Sequence, residues 1–333
     1  MSGFDLAYVA VAVKDVGGVA GTFIDDLHLD HATTVTPLGR PVPVFKLGRS
    51  AVALFALDDP YLHDSAYSEP SVPGVHHIAL AAADPRAEAT AVGLITAENG
   101  VRPGINEASE LAIDAAATAS VRLRFCEAPQ FSFTASTSGP AMVERIDHIG
   151  VASRDNGAAA AVFNRGLGCP VESTQTDLEL SIALESFTSD KYGVLYHSRD
   201  PEPVAGLRVS FITVGDCELE FLQPFDATGA GASTRANTGA APSGDAHRPD
   251  AGQPGTTRSD KGAIGRYIER RGPGLHHLAL KTPDIDAALK HLVQCGHEVI
   301  DPVGRSGSRR ARIGFVHPRS FGGLLMHFVE RDA

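Results

Sequence analysis

One strand-like pattern occurs four times along this sequence, and it limits the folds that the chain can adopt. Each copy is a short apolar run, followed by an amphipathic helical segment and then by further strand-like runs. The four apolar runs are D-L-A-Y-V-A-V-A-V (5–13), G-V-H-H-I-A-L-A (74–81), R-I-D-H-I-G-V-A (145–152) and G-L-H-H-L-A-L-K (274–281). A repeat on this scale predicts that one supersecondary unit is used four times.

Helix signals follow three of these runs directly. Apolar side chains recur at helical spacing after the first run: Val16, Val19, Phe23 and Leu27. Asp155 is a suitable N-cap after the third run. After the fourth run, Thr282 is predicted as the N-cap, Pro283 as the first helical residue and Gly296 as the stop.

The chain is long enough for two domains, each with its own core. The predicted domains are residues 1–130 and 144–333, joined by a linker at 131–143. Residues 226–258 are rich in Gly, Ala, Ser, Thr and Pro. Such a segment buries too little apolar surface to offset its ordering entropy, so a flexible insertion is predicted there. A second insertion, at 176–205, contains apolar runs and is predicted to be ordered.

The acidic charge of the chain indicates which kinds of molecule it is expected to bind. The net charge of −11 and the pI near 5.7 disfavour nucleic acid and membrane surfaces as partners. No apolar run approaches the roughly 20 residues of a membrane span, and no signal peptide is expected. Four scattered cysteines without C-x-x-C spacing indicate free thiols in a reducing compartment. We therefore expect a cytoplasmic protein with a small-molecule partner, and the sequence leaves open whether it forms a homo-oligomer.

Polar residues that are costly to bury occur inside apolar strands in the second half of the chain. His148 lies in R-I-D-H-I, Glu220 in C-E-L-E-F-L and His327 in L-L-M-H-F-V. His277 is the second histidine of G-L-H-H-L. Imidazoles and a carboxylate in such places need partners or a metal ion. Three imidazoles and one carboxylate suit Zn, Fe, Co, Ni or Mn.

Strand alternation separates the two adjacent histidines of the fourth run. Leu275, His277 and Ala279 are predicted on one face, and His276, Leu278 and Leu280 on the other. Only His277 is therefore expected to face the metal.

The motifs of the second half resemble a known family. Residues 144–226 and 259–331 contain E-R-I-D-H-I-G-V-A, L-E-F-L-Q-P, A-I-G-R-Y-I-E-R-R-G-P-G-L-H-H-L-A-L, R-I-G-F-V-H-P-R-S and G-G-L-L-M-H-F-V-E. In order and spacing they resemble the vicinal oxygen chelate superfamily, and within it the methylmalonyl-CoA epimerases. Residues 1–130 resemble only the modular plan of that superfamily.

The resemblance implies an α+β fold of four β-α-β-β-β modules. These would form two domains, each a half-open β-barrel with flanking helices. It also implies one divalent metal ion, Zn, Fe, Co, Ni or Mn, held by His148, Glu220, His277 and His327. The last position departs from the epimerases, in which a glutamate stands there.

The first half then resembles a degenerate copy. Tyr8 takes the position of His148, Ala53 that of Glu220 and Arg124 that of His327, so only His77 remains of the four. The first domain is therefore predicted to be metal-free.

The function implied is epimerase- or isomerase-type chemistry through a metal-stabilised enolate, on an acyl-CoA or 2-oxo acid. Glu220 and Glu185 are the candidate general bases. A two-domain Fe(II)-dependent dioxygenase is the alternative, and a non-catalytic small-molecule binding or resistance protein is a further one.

Candidate substrate-binding residues come from the loop before the R-I-G-F-V-H-P strand and from its end. Arg309, Arg310 and Arg312 form either a solvated charged turn or a clamp for phosphate or carboxylate. His317 is either a turn residue or a polar group at the mouth of the barrel.

Overall fold

All four repeated runs are β-strands at the centres of large sheets. A computed structural model of the protein describes residues 4–63, 72–94, 100–181, 184–189, 191, 193–198, 202–226 and 262–331. The four strands span Leu6–Val13, Gly74–Ala81, Arg145–Ala152 and Gly274–Lys281. The predicted repeat is confirmed to within one residue at each end.

The first sheet has eight strands from the N-terminal part of the chain. In chain order they are β1 Leu6–Val13, β2 His31–Val35, β3 Pro41–Leu47, β4 Ser50–Ala56, β5 Gly74–Ala81, β6 Arg102–Pro103, β7 Ser109–Ile113 and β8 Leu123–Cys126. The order across the sheet is β2-β3-β4-β1-β5-β8-β7-β6. β1 pairs with β4 in parallel and with β5 antiparallel, so the opening strands of two modules meet at the centre.

The second sheet repeats this order with strands from the C-terminal part. They are β9 Arg145–Ala152, β10 Val171–Ser181, β13 Glu202–Val214, β14 Cys217–Phe225, β15 Gly274–Lys281, β16 Arg305–Ser306, β17 Arg312–Val316 and β18 Met326–Glu330. A separate hairpin consists of β11 Leu184–Ser189 and β12 Gly193–Ser198. The order is β10-β13-β14-β9-β15-β18-β17-β16. The predicted insertion at 176–205 is ordered where it is described, as extensions of β10 and β13 and as this hairpin.

Short helices flank the two curled sheets, which confirms the α+β class with two half-open barrels. The α-helices are α1 Val16–Gly21, α2 Pro85–Ala91, α3 Asn156–Ala160, α4 Ala263–Arg271 and α5 Ile285–Gln294. Thr22–Asp26 and Ala161–Gly166 continue α1 and α3 as π-helical turns, and 3-10 turns span Pro60–Leu62, Ile105–Glu107, Ala115–Thr118, Ser308–Arg310 and Pro318–Phe321. None of the helices in the described ranges combines the length and hydropathy needed to cross a bilayer.

The start of α5 differs from its prediction. Asp284, not Thr282, is the N-cap, because its carboxylate accepts a hydrogen bond from the backbone N–H of Ala287. The Thr282 hydroxyl donates to the carbonyl of Met142 instead, at 2.9 Å. The predicted cap at Asp155 and the glycine at position 296, with φ of +90°, are both confirmed.

One hydrophobic core joins the two sheets. It contains residues of β1 and β5 together with residues of β9 and β15. Across the two halves, the rings of Phe23 and Phe321 lie 5.9 Å apart between centroids. The segment predicted as a linker contacts both halves. Thr134 forms a β-bridge with His31, and Met142 donates its N–H to Leu27 and accepts from Thr282 at its carbonyl. The domain boundaries at 1–130 and 144–333 remain predictions, and all of the flexible insertion predicted at 226–258 except Asp226 lies outside the described residues.

Candidate metal centre

The four predicted ligands lie on the four central strands of the second sheet. His148 is on β9, Glu220 on β14, His277 on β15 and His327 on β18. In the strand register, Glu220 pairs with Gly150, Gly150 with His277 and Ala279 with both His148 and His327. Residues directly opposite each other, and those two positions away, share a face of a sheet. The register therefore brings all four side chains to one face.

The three imidazoles and the carboxylate converge in a buried cluster. One nitrogen each from His148, His277 and His327 lies within 4.8 Å of the other two. Oε2 of Glu220 is 3.3 Å from Nε2 of His148 and 3.4 Å from Nε2 of His277. All four residues are at most 5 % exposed.

The donor set fits a divalent metal ion. Buried imidazoles and a carboxylate at these separations are the ligand types that Zn and neighbouring transition metals prefer. Nδ1 of His327 is buried and has no hydrogen-bond partner among the described residues. A buried polar nitrogen without a partner is costly, and an ion in the cluster is one way to offset that cost.

Burial and neighbouring charges shift the pKa values of the four ligand side chains in different directions. Burial disfavours the imidazolium of His148, but Glu220 and Asp147 outweigh it and raise the pKa of His148 to about 9. Burial lowers the pKa of His277, although Glu220 opposes this, and lowers the pKa of His327 well below its usual range. Burial alone would raise the pKa of the Glu220 carboxyl, but His148 and His277 hold it well below its usual value. Without an ion, these pKa shifts favour a carboxylate at Glu220 and a protonated ring at His148, and a bound ion would take the place of that proton.

A β-bulge changes the predicted alternation in β15. The register with β9 shifts between Leu275 and His277, so Leu275 joins the core with Leu278 and Leu280. The prediction that Leu275 shares the face of His277 is therefore wrong. The bulge places Nδ1 of His276 2.9 Å from Nδ1 of His277, and the ring of His276 packs edge-on against Tyr267 of α4.

Gly150 allows the ring of His277 to lie close against β9. A Cβ on Gly150 would be 2.6 Å from Nε2 of His277 and closer still to Cε1 and Nδ1. Such distances do not occur for real side chains, so the missing side chain makes room for the ligand.

The arginines predicted to bind substrate already have carboxylate partners. Arg309 forms ion pairs with Asp147, Glu172 and Glu218 at 3.2–3.5 Å. Arg312 lies 2.6 Å from Asp286 and 3.4 Å from Glu330. Arg310 is exposed at the end of its 3-10 turn, and the ring of His317 accepts a hydrogen bond from the N–H of Arg319. Their role in substrate binding remains a prediction.

The two predicted bases lie in different places. Glu220 is part of the ligand cluster, and Glu185 lies on β11, outside the eight-stranded sheet. The side chain of Glu185 lies outside the described residues.

One carboxylate on the same face of the sheet as the cluster was not predicted from the sequence. Asp177 on β10 pairs with Leu207 on β13. Phe211, also on β13, pairs with Glu220 on β14. Alternation along β13 puts Leu207 and Phe211 on one face, so Asp177 and Glu220 share it. Partial desolvation and the charge of Glu220 raise the pKa of Asp177, while a hydrogen bond from Gln175 lowers it, with a net rise. Asp177 lies in a polar run of the sequence, two residues after Gln175, and no local motif there indicated a functional carboxylate.

The register also identifies the counterpart of the cluster in the first sheet. Tyr8 pairs with Ala79 and Arg124 with the same residue, as His148 and His327 do with Ala279. Ala53 pairs with Ala10, as Glu220 does with Gly150. The assignments of Tyr8, Ala53 and Arg124 as equivalents of the three ligands agree with this register.

A guanidinium occupies the centre of the first sheet. Nη1 of Arg124 is 3.0 Å from Glu110, and its Cζ lies 4.6 Å from the ring centroid of Tyr61. The Tyr61 hydroxyl donates to Glu110 at 2.6 Å and lies 2.9 Å from that of Tyr8. Burial raises the pKa of both tyrosines, so both remain protonated donors. An arginine thus supplies the central positive charge in this half.

Arg124→Met is expected to lower the free energy of unfolding by about 3 kcal/mol or more, because it leaves the buried Glu110 with less compensation. The matched control is Arg49→Met, which removes a largely exposed ion pair with Asp5 and is expected to cost less than about 1 kcal/mol. Urea denaturation of both variants measures the difference. Equal losses would contradict a central role for Arg124.

Two curled eight-stranded sheets form two half-open β-barrels, and a buried cluster of three histidines lies at the centre of the second. These features define the class of protein as paired half-open barrels with a candidate metal site in one of them. A sequence model of the Glyoxalase/Bleomycin resistance protein/Dioxygenase superfamily matches residues 147–315, about half the chain, and the protein belongs to that family.

Curated relatives carry epimerase names. The mitochondrial methylmalonyl-CoA epimerase of Dictyostelium discoideum is 32 % identical over 73 residues, a match covering 22 % of this chain and 44 % of that protein. The ethylmalonyl-CoA/methylmalonyl-CoA epimerase of Cereibacter sphaeroides is 24 % identical over 197 residues, covering 57 % of this chain and 99 % of that protein.

A solved structure extends the likeness of the fold to the whole chain. A mutant 4-hydroxymandelate synthase from Streptomyces coelicolor superposes with a TM-score of 0.56 and 15 % identity, covering 100 % of this chain and 94 % of that one. At this identity the likeness establishes the two-sheet fold alone.

Proposed function

We propose that this protein is a metal-dependent enzyme of the isomerase or epimerase type. Its reaction would remove a proton next to a carbonyl group of an acyl-CoA or 2-oxo acid and return it. The observation that carries the proposal is the convergence of His148, His277, His327 and Glu220 on a sheet face that also bears the carboxylate of Asp177.

The ligand cluster would hold one divalent ion through three imidazoles and Glu220. When bound, the ion would supply Lewis-acid stabilisation for negative charge that develops on a substrate oxygen. Glu220 suits the role of ligand better than that of base, because Nε2 atoms of two imidazoles lie within 3.4 Å of its carboxylate.

Asp177 is the residue that we assign as general base. A base needs a pKa nearer to the working pH than that of a solvated aspartate, and the pKa of Asp177 is raised. Gln175 donates to both carboxylate oxygens at 3.0 Å and so fixes the orientation of the side chain. Ser308 is a further partner of Gln175, which ties this arrangement to the loop before β17.

The substrate class rests on the named relatives and on the chemistry of the cluster. Both curated epimerases carry malonyl-type CoA thioesters in their names. Such thioesters have an acidic carbon beside a carbonyl, and their two neighbouring oxygens can approach one ion together. We therefore place acyl-CoA thioesters first and 2-oxo acids second.

The test combines metal analysis with a search for proton exchange. Protein purified without added metal is expected to contain about one divalent ion per chain by elemental analysis. In heavy water it is expected to incorporate deuterium at the carbon beside the thioester of methylmalonyl-CoA or ethylmalonyl-CoA, without consuming oxygen. Protein that binds no metal, or that exchanges equally fast after chelator treatment, would contradict the proposal.

A Fe(II) dioxygenase is the alternative function. This alternative is favoured by the two-domain plan: the second half carries the candidate metal ligands, whereas the centre of the first half is filled by Arg124. Bound iron together with substrate-dependent oxygen uptake would replace the isomerase proposal. Tight binding of a small molecule with neither exchange nor oxygen uptake would indicate the third function, a binding protein.

A further inference from the structure

A buried aspartate stands directly behind the ligand His148. Nδ1 of His148 lies 2.8 Å from Oδ1 of Asp147, a side chain with no exposed surface. Asp147 is in turn held by two arginines, with Nε of Arg331 at 3.0 Å and Nη2 of Arg309 at 3.3 Å. The carboxylate therefore has a ligand and two hydrogen-bonded guanidinium groups as neighbours, and Nη2 of a third arginine, Arg145, lies farther away at 3.7 Å.

The two arginines reach Asp147 from separate parts of the second barrel. Arg309 lies in the 3-10 turn Ser308–Arg310, and Arg331 follows β18. Both also contact Glu218, at 3.5 Å and 3.2 Å, and Glu218 pairs with His148 in the strand register. The Cζ atom of Arg309 lies 3.8 Å from the ring centroid of Phe211. These contacts hold the guanidinium of Arg309 against side chains of β9, β13 and β14.

This network is present only in the half that has the ligand cluster, among the residues described. Register and position place Ala7 where Asp147 stands, Ala51 where Glu218 stands and Ala128 where Arg331 stands. The turn that holds Arg309 has a counterpart at Ile105–Glu107, with Asn106 at φ of +55° against +57° for Arg309. The fold of the turn is therefore common to both halves, whereas the charged network is not.

We infer that Asp147 is a positioning residue of the proposed metal centre, and that Arg309 and Arg331 hold it in place. Nδ1–H of His148 donates to Asp147, which fixes the tautomer and leaves the Nε2 lone pair directed at the cluster. The two guanidinium groups balance the buried carboxylate, so that its orientation is maintained. Arg309 then serves the ligand His148 rather than a substrate anion. The inference rests on the proposed function, since it concerns how that site binds its ion.

Metal titration tests the inference without relying on activity. Zn²⁺ and Co²⁺ affinities would be measured by competition with a chromophoric chelator for the wild type, Asp147→Asn, Arg309→Gln and Arg309→Lys. Asp147→Asn and Arg309→Gln are expected to bind the ions about 10- to 100-fold more weakly. Arg309→Lys is expected to recover part of the loss, and the visible absorption of bound Co²⁺ is expected to change in Asp147→Asn.

Arg319→Gln is the matched control, because the Arg319 side chain is 82 % exposed and its ion pair with Glu298 is long, at 4.0 Å. It is expected to keep wild-type affinity. If Asp147→Asn melts at a lower temperature yet binds both ions as tightly as the wild type, the network is only structural and the inference is wrong. If Asp147→Asn does not fold, the two Arg309 variants decide the question by the same criterion. If the wild type itself binds no ion, the proposed function fails. If the wild type binds the ions and Asp147→Asn binds them equally well, only the inference about Asp147 fails.

Discussion

His277→Ala is expected to lose the bound metal ion, whereas His77→Ala is expected to keep it. The two histidines occupy equivalent places in β15 and β5, and each has a second histidine with Nδ1 at 2.9 Å. Their surroundings differ, because Nε2 of His277 faces His148 and Glu220. Nε2 of His77 lies 3.4 Å from the Tyr8 hydroxyl instead. Removing one of four ligands from the first environment should lower metal affinity by several orders of magnitude.

Elemental analysis after dialysis against a weak chelator measures this prediction. The wild type should retain about one ion per chain, His77→Ala the same and His277→Ala less than about a tenth of that. Because both substitutions remove a buried imidazole, both should lower stability, and circular dichroism would verify that both variants fold. Equal metal content in the two variants would contradict the assignment of the site to the second half.

Asp177→Asn is expected to stop proton exchange while leaving the metal in place. The substitution keeps the shape of the side chain and one of its two hydrogen bonds from Gln175, but an amide cannot accept the proton from carbon. Loss of a general base typically costs about 100- to 10,000-fold in rate. Deuterium incorporation into the thioester, followed by NMR, measures the rate, and metal content is measured on the same sample.

The pH dependence gives a second readout for Asp177. Only the deprotonated carboxylate can act as a base, so the wild-type rate should rise as the pH passes upward through the raised pKa of Asp177. Asp177→Asn should lack this rise. Glu185→Gln is the competing variant: if it stops exchange and Asp177→Asn does not, the base is on the β11–β12 hairpin and the assignment made from the register is wrong.

The sequence predicted the fold well because its signals are local. The four opening strands were visible as short apolar runs, and Asp155 and Gly296 marked helix ends through hydrogen bonding and backbone conformation within a few residues. The error at α5, by contrast, has a non-local cause. Thr282 and Asp284 are both good N-caps, and the contact of Thr282 with Met142, far away in sequence, decided between them.

The ligand positions could be predicted by resemblance, but their surroundings could not. His148, Glu220, His277 and His327 stand in motifs whose order is readable along the chain. Nothing local indicated that the arginines of the loop before β17 would meet carboxylates from other strands. The sequence left Arg309 either in a solvated turn or in a clamp for a substrate anion, and it did not indicate that the guanidinium would lie against Asp147, Glu172 and Glu218.

The sequence by itself determined the four-fold repeat, the fold class and the positions of the candidate ligands, because apolar periodicity and spaced motifs are properties of neighbouring residues. Only the tertiary structure decided which side chains meet. The bulge before His277 moved Leu275 into the core, and the pairing of β10 with β13 and of β13 with β14 put Asp177 on the face of Glu220. A shift of one residue in strand register moves a side chain to the opposite face of a sheet. Register depends on contacts between distant segments, so the composition of the site beyond its ligands emerged only in the folded chain.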